Sequence, residues 1–168
     1  MNIWALTKLS YGVYVVTTWA EGGKPTGCTA NSAMQVTAEP ATIAVSINHD
    51  NFTNECIKNT GRFAINILGE NSKPLTIGTF GFRSGRDFNK FSEQPTLRDY
   101  MPIIDDAVAY ITCKVIDTME SETHTVFLGE VCDCDILNND DNPMTYAYYH
   151  NVIKGKSPKT APTYIEEK

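Results

Sequence analysis

The segment HTVFLGEVCDCDIL, residues 124–137, carries Val126, Leu128, Cys132, Cys134 and Ile136 at even positions. That spacing gathers them on one face of an extended chain and scatters them around a helix, so this segment must be a strand. Runs of the same kind recur. GVYVVTTW (12–19), TIAVSIN (42–48), RFAINIL (62–68) and AVAYITCKVIDTM (107–119) are rich in β-branched and aromatic residues. TGCTANSAMQVT (26–37) reads as one long strand or a strand with a bulge, set off from the first by the turn EGGKP. These strands do not alternate with long helices, which excludes a doubly wound sheet; about six strands with short connections suggest an antiparallel, closed barrel.

Helices are few. NFTNECIKNTG has an N-cap in Asn51 or Thr53 and Gly61 at the position after its last turn. A short helix is expected near 74–79, inside an otherwise loop-like stretch from 69 to 101, and Asn142-Pro143 opens another in MTYAYYHNVI. The tail GKSPKTAPTYIEEK is expected to run extended, giving one domain over 1–155 and a tail over 156–168.

A net charge of -6 and a pI near 5.0 argue against nucleic acid or an anionic membrane surface as the main partner. Any bound phosphate would need a local cluster of cations and backbone N–H groups. No apolar run approaches a membrane span of about 18 residues, and the N-terminus lacks the layout of a signal peptide, so a cytoplasmic location is expected. The five cysteines form no CxxC pair and read as small apolar core residues in a reducing compartment. The three histidines, His49, His124 and His150, stand in separate segments, and no metal site is expected.

No GxGxxG, GxxxxGK[ST], HExxH or GxSxG is present. Three polar segments remain. CTANS (28–32) fits an edge strand with hydroxyls in water, or backbone facing the edge of a heteroaromatic ring. SINHDNFT (46–53) passes from a strand into a helix start, where free N–H groups and the helix dipole favour a phosphate; a capped helix without ligand is the commoner outcome for such residues. FGFRSGRDFNKF (80–91) sets Arg83, Arg86 and Lys90 around Ser84 and Gly85, either a solvated charged loop or a phosphate grip. His124 is structural or catalytic, and Tyr146, Tyr148, Tyr149 and His150 suggest packing along one helix.

Taken in order, ALTKLSYGVYVVTT, GCTANSAMQVT, FTNECIKNTGRFAINIL, GFRSGRDFNKF and THTVFLGEV resemble the flavin reductase-like family with an FMN-binding split barrel. The ending PMTYAYYHNVIKGKSPKTAPTY is similar to the flavin domain of high-molecular-weight rubredoxins and flavoredoxin-like proteins. The resemblance implies a mainly β, Greek-key split barrel with a few short helices, FMN more than FAD as cofactor, and a homodimer. It implies electron transfer from NADH or NADPH to free flavin or a redox protein such as rubredoxin; the alternative is an FMN-binding protein that stores or senses flavin without turnover. By the same resemblance Thr29, Ala30, Asn31 and Ser32 line the ring and ribityl chain, and Ser46, Asn48 and Thr53 lie near ribityl and phosphate. Ser84, Arg86 and Lys90 neutralise the phosphate, His124 sits where nicotinamide docks, and Tyr149 closes the pocket.

Overall fold

The computed structural model describes residues 1–165. Seven strands form one antiparallel sheet in the order β2-β1-β5-β8-β9-β4-β3. They are β1 (Tyr14–Ala20), β2 (Lys24–Ala30), β3 (Ala33–Ala38), β4 (Ala41–Asn48), β5 (Arg62–Leu68), β8 (Ala107–Glu120) and β9 (His124–Ile136). A separate two-stranded ribbon pairs β6 (Thr96–Arg98) with β7 (Met101–Ile103).

The stretch expected as one long strand is two strands at opposite edges of the sheet. β2 pairs only with β1, from Tyr14↔Ala30 to Ala20↔Lys24, and β3 pairs only with β4. Between them stand Asn31 and Ser32. If the sheet were flat its outer strands would lie about 29 Å apart, six spacings of roughly 4.8 Å. Two linking residues bridge about 11 Å at most. The sheet must therefore curl until its edges meet, although β2 and β3 share no ladder. That is a split barrel, and the mainly β architecture expected from the sequence is present.

The interior is filled by Val16, Val45, Ile57, Phe63 and Phe127, all essentially buried. On β9 the buried positions are the odd ones, Thr125, Phe127 and Gly129; the even face that marks the strand in the sequence turns outward. Phe63 packs against Gly129 too closely for any side chain there, which fixes that choice of face. Register shifts opposite Val131–Asp133 leave Cys132 and Cys134 exposed. These two cysteines depart from the core placement expected of them; Cys28, Cys56 and Cys113 are buried.

Helix α1 (Phe52–Thr60) starts at Asn51, whose Oδ1 accepts from the Thr53 N–H at 3.2 Å, and ends at Gly61 with φ 66. Its Asn54 donates to the Ile47 carbonyl (2.9 Å) and to Thr125 Oγ1 (3.0 Å), pinning the helix across β4 and β9. Helix α2 (Pro74–Phe82) runs longer than expected, and α3 (Tyr146–Asn151) is capped by Thr145. A 3-10 helix (Ile3–Lys8), unforeseen in the sequence, precedes β1 and buries none of its residues. The ribbon gives the supposedly loop-like stretch its order. Thr17 donates to the Pro102 carbonyl at 2.5 Å, and Asn66 Oδ1 accepts from the Ile104 N–H at 2.8 Å.

Asn66 is fully buried and also donates to the Val15 carbonyl (2.9 Å) and Thr17 (3.1 Å). Asn66→Leu leaves these groups buried without partners, each orphan costing about 1–3 kcal/mol. Urea denaturation should show a stability loss of roughly 3 kcal/mol with an unchanged m-value; a change below about 0.5 kcal/mol would show that the ribbon is not held through this side chain.

Candidate functional site

A cavity opens where the chain crosses between the edges of the sheet. Its walls come from β2 (Cys28 to Ala30), Asn31, the end of β4 (Ser46 to Asn48), α2 and α3, with residues 156–162 across the top. Segments some twenty residues apart in sequence converge here because β4 lies beside the strand that follows Asn31. The Ser46 N–H donates to the Ser32 carbonyl at 3.0 Å, stitching the crossing to β4.

Thr29, Ala30, Asn31, Ser46, Asn48 and Tyr149, all singled out in the sequence, line this cavity. Ser32 lies just outside it and donates to Asn31 Oδ1 at 3.0 Å, orienting that amide. Thr29 Oγ1 donates to the Ile77 carbonyl of α2 at 3.2 Å, which ties β2 to α2 along the cavity wall. Cys28, Asn51, Ile77, Phe82 and Tyr146 also line it. Ile77 and Phe82 carry no pattern of their own; Cys28 and Asn51 belong to the polar segments 28–32 and 46–53, and Tyr146 to the aromatic run of α3.

Beneath the cavity, Thr53 is buried in the first turn of α1, beside the Cys28 thiol. Burial pushes the Cys28 thiol up, opposed by the Lys90 ammonium and by hydrogen bonds from Thr53 and Asn51. Lys90 is itself buried and donates to the carbonyls of Gly27 (2.7 Å) and Phe80 (3.1 Å), which ties the basic loop to β2 and α2. Burial lowers its pKa from the usual lysine value, with Cys28 working the other way. Arg86, exposed, pairs with Glu55 of α1 and lies over the Phe52 ring at 4.7 Å; Ser84 Oγ accepts from the Arg86 N–H at 3.2 Å. Gly85 is buried so tightly against Thr26 and Phe52 that a side chain there would collide with Thr26. The glycine thus approaches the protein's own strand. Thr26 Oγ1 is buried without a hydrogen-bond partner among the described residues.

His124 opens β9, opposite Asn48 of β4. Its Nδ1 meets Thr123 Oγ1 at 2.8 Å, while Nε2 is buried without a partner among the described residues. Burial lowers its pKa; the nearby Thr160 carbonyl favours the protonated ring without closing a normal hydrogen bond, and His49 disfavours it. The corner beside it is held by Glu120, which accepts from Lys58 (2.8 Å), His49 (2.8 Å) and Thr125 (2.9 Å). Lys58 first, then Thr125, hold the Glu120 carboxyl down at about 2. Among the described residues no cluster of His, Cys, Asp and Glu suited to a metal occurs. Among the same described residues no helix is long and apolar enough to cross a membrane.

Comparison with known proteins places this geometry. The flavin reductase-like domain matches residues 6–155. The chain belongs to the flavin reductase-like family. As a member it is an oxidoreductase. It is 40% identical over 171 residues to a ferric-chelate reductase (NAD(P)H) of Archaeoglobus fulgidus, covering 100% of both chains. It is 40% identical over 167 residues to a high molecular weight rubredoxin of Moorella thermoacetica, covering 98% of this chain and 72% of that one. The solved flavin reductase PheA2 superposes with a TM-score of 0.70 at 32% identity, covering 84% of this chain and 88% of that one.

Two acid windows follow from the shifted groups. His124 has a folded-state pKa below its ordinary 6.5, so its contribution to stability is present above that value and fades as pH falls through it toward the folded pKa. Glu120, held at about 2 against an ordinary 4.5, contributes above 4.5 and is lost as pH falls toward 2. NMR titration of the His124 ring should give a midpoint below 6.5, and Glu120→Gln should flatten the stability profile between about pH 4.5 and 2 while leaving the His124 window in place. A His124 midpoint at or above 6.5 contradicts the burial seen here.

Proposed function

We propose that this chain binds FMN in the cavity and passes electrons from NADH or NADPH to an acceptor, which is free flavin, a ferric chelate or a small redox protein. One observation carries the reading. Segments 29–31, 46–48 and 51–53, which resemble the ring, ribityl and phosphate segments of the family, converge on one cavity and the helix start beneath it. The residues present suit the cofactor. Thr26 Oγ1 is an unpartnered buried hydroxyl beside the basic loop, and α1 begins at Asn51, a residue of the cavity wall, so that the positive end of its dipole faces the site.

Bound flavin would supply the hydride-accepting and electron-releasing chemistry, so the protein needs neither a nucleophile nor an essential general acid. The backbone at Thr29 and Ala30 and the Asn31 amide would orient the ring edge, and Ser46 and Asn48 the ribityl hydroxyls. Ser84, Arg86 and the start of α1, with Thr53 in its first turn, would hold the phosphate. Lys90 adds its charge from beneath while bracing the loop through Gly27 and Phe80. A neutral His124, with a buried and unpaired Nε2, would position the nicotinamide, and Tyr149 would wall the ring from α3. We further propose a homodimer, because Met34 and Val36 on β3 and Ile116 and Met119 on β8 expose large apolar side chains, and a cytoplasmic location from the reducing-compartment reading of the cysteines.

The purified protein should bind FMN and bleach under anaerobic NADH or NADPH. Arg86→Ala should weaken FMN about tenfold and leave riboflavin, which lacks the phosphate, unchanged. His124→Ala should slow reduction by nicotinamide with FMN still bound. Binding without bleaching favours a storage or sensing role; equal weakening of FMN and riboflavin by Arg86→Ala would remove Arg86 from the phosphate site.

A further inference from the structure

The tail does not simply run extended away from the domain. Lys154, with φ 60, turns the chain after α3, and residues 155–163 fold back through two tight turns over the cavity. Gly155 lies so close to the Tyr149 ring that a Cβ there would overlap it, and its N–H donates to the Tyr149 carbonyl at 2.9 Å. Tyr149 OH then donates to the Lys156 carbonyl at 3.1 Å.

Beyond that anchor the tail is held by one chain of side-chain hydrogen bonds. Ser157 Oγ meets Tyr146 OH and, at 3.2 Å, His150 Nε2. Thr163 Oγ1 donates to Tyr146 OH at 3.0 Å and accepts from the Asn31 amide at 2.7 Å. Asn31 is the side chain assigned above to the ring edge. The Thr160 carbonyl stands over His124, assigned above to the nicotinamide. The tail therefore takes the Asn31 amide with its own hydroxyl and sets a carbonyl beside the His124 ring without bonding it. With the tail in place the cavity measures about 50 Å³, room for a few waters.

We propose that residues 155–163 form an autoinhibitory strap, a segment of this chain that shuts the flavin pocket by taking the hydrogen bonds of Asn31 and covering His124, and that must swing out before FMN enters. This rests on the flavin reading above. The anchor at Gly155 and Tyr149 is the pivot, and the contacts at Ser157 and Thr163 are the latch. Loosening the latch should raise the open fraction, and with it the rate at which flavin is captured.

The test uses the full-length chain, flavin-free, as wild type and as the latch variant Ser157→Ala/Thr163→Val. Trypsin should cut after Lys156 and Lys159 slowly in wild type and faster in the variant. With FMN as the probe, stopped-flow fluorescence quenching should show association at least about tenfold faster in the variant, because one hydrogen bond of ordinary strength is worth up to roughly that factor and the variant removes all the latch contacts of Ser157 and Thr163. Gly155→Ala, which drives a methyl group into the Tyr149 ring, should speed cutting and association by a separate route. Unchanged cutting in both variants would overturn the latch. Faster cutting with unchanged FMN association would overturn the gate, as would faster FMN dissociation alone, which marks a clamp that retains flavin. If neither protein binds FMN, the flavin reading fails and the gate with it, whereas cutting still reports whether the strap is latched.

Discussion

Two residues, Asn31 and Ser32, join strands that stand at opposite edges of a seven-stranded sheet, and the rest of the molecule follows from how short that link is. The sheet must bend to let the edges meet, and its interior must then be filled, which Phe63 and Phe127 do. The same link leaves the backbone around Asn31 outside any ladder between β2 and β3. Backbone N–H and C=O groups without ladder partners need others, so the seam of the barrel is where a polar ligand gains most. The cavity sits at that seam for a geometric reason, before any side chain is considered.

Helix α1 and the basic loop meet the seam from below. Asn54 fixes the helix across β4 and β9, and Lys90 fixes the loop by holding two carbonyls from inside the protein. The buried ammonium and the buried Cys28 thiol stand side by side, each drawing the other toward its charged form while burial works against both. Arg86 remains at the surface, where its link to Glu55 is solvated and worth little to stability. The loop thus divides its cations between an inner brace and an outer, movable arm.

Much of this was legible in the residues, and the exceptions have physical causes. Strand periodicity identified β1, β4, β5, β8 and β9, and Gly61 marked the end of α1 as a left-handed cap. Period two cannot say which face is inward; Phe63 opposite Gly129 decides that, and no local pattern announces a cross-strand fit. The break at Asn31 was hidden because both halves of the segment have strand composition, and only the pairing partners distinguish one strand from two. In the site, Thr29, Ala30, Asn31, Ser46, Asn48 and Tyr149 line one cavity while Ser32, Thr53, Ser84, Arg86, Lys90 and His124 lie outside its lining, and Phe82 was missed because tertiary folding alone brings it near. The tail was misread for the opposite reason. Its prolines and polar residues suggest an open chain, yet its order comes from hydroxyls on α3 that a local reading does not see.

The hydrogen bond between Asn31 and Thr163 spans 132 positions, nearly the length of the protein. During synthesis, the barrel seam at Asn31 is made early, but the wall that completes its cavity emerges from the ribosome 132 positions later. A growing chain therefore passes through a stage in which the barrel can close while its pocket still lies open, and flavin has its freest access then. Cofactor capture and the arrival of the tail are in this sense competitors in time, and the order in which they occur would decide how much of the newly made protein is already loaded when its pocket closes.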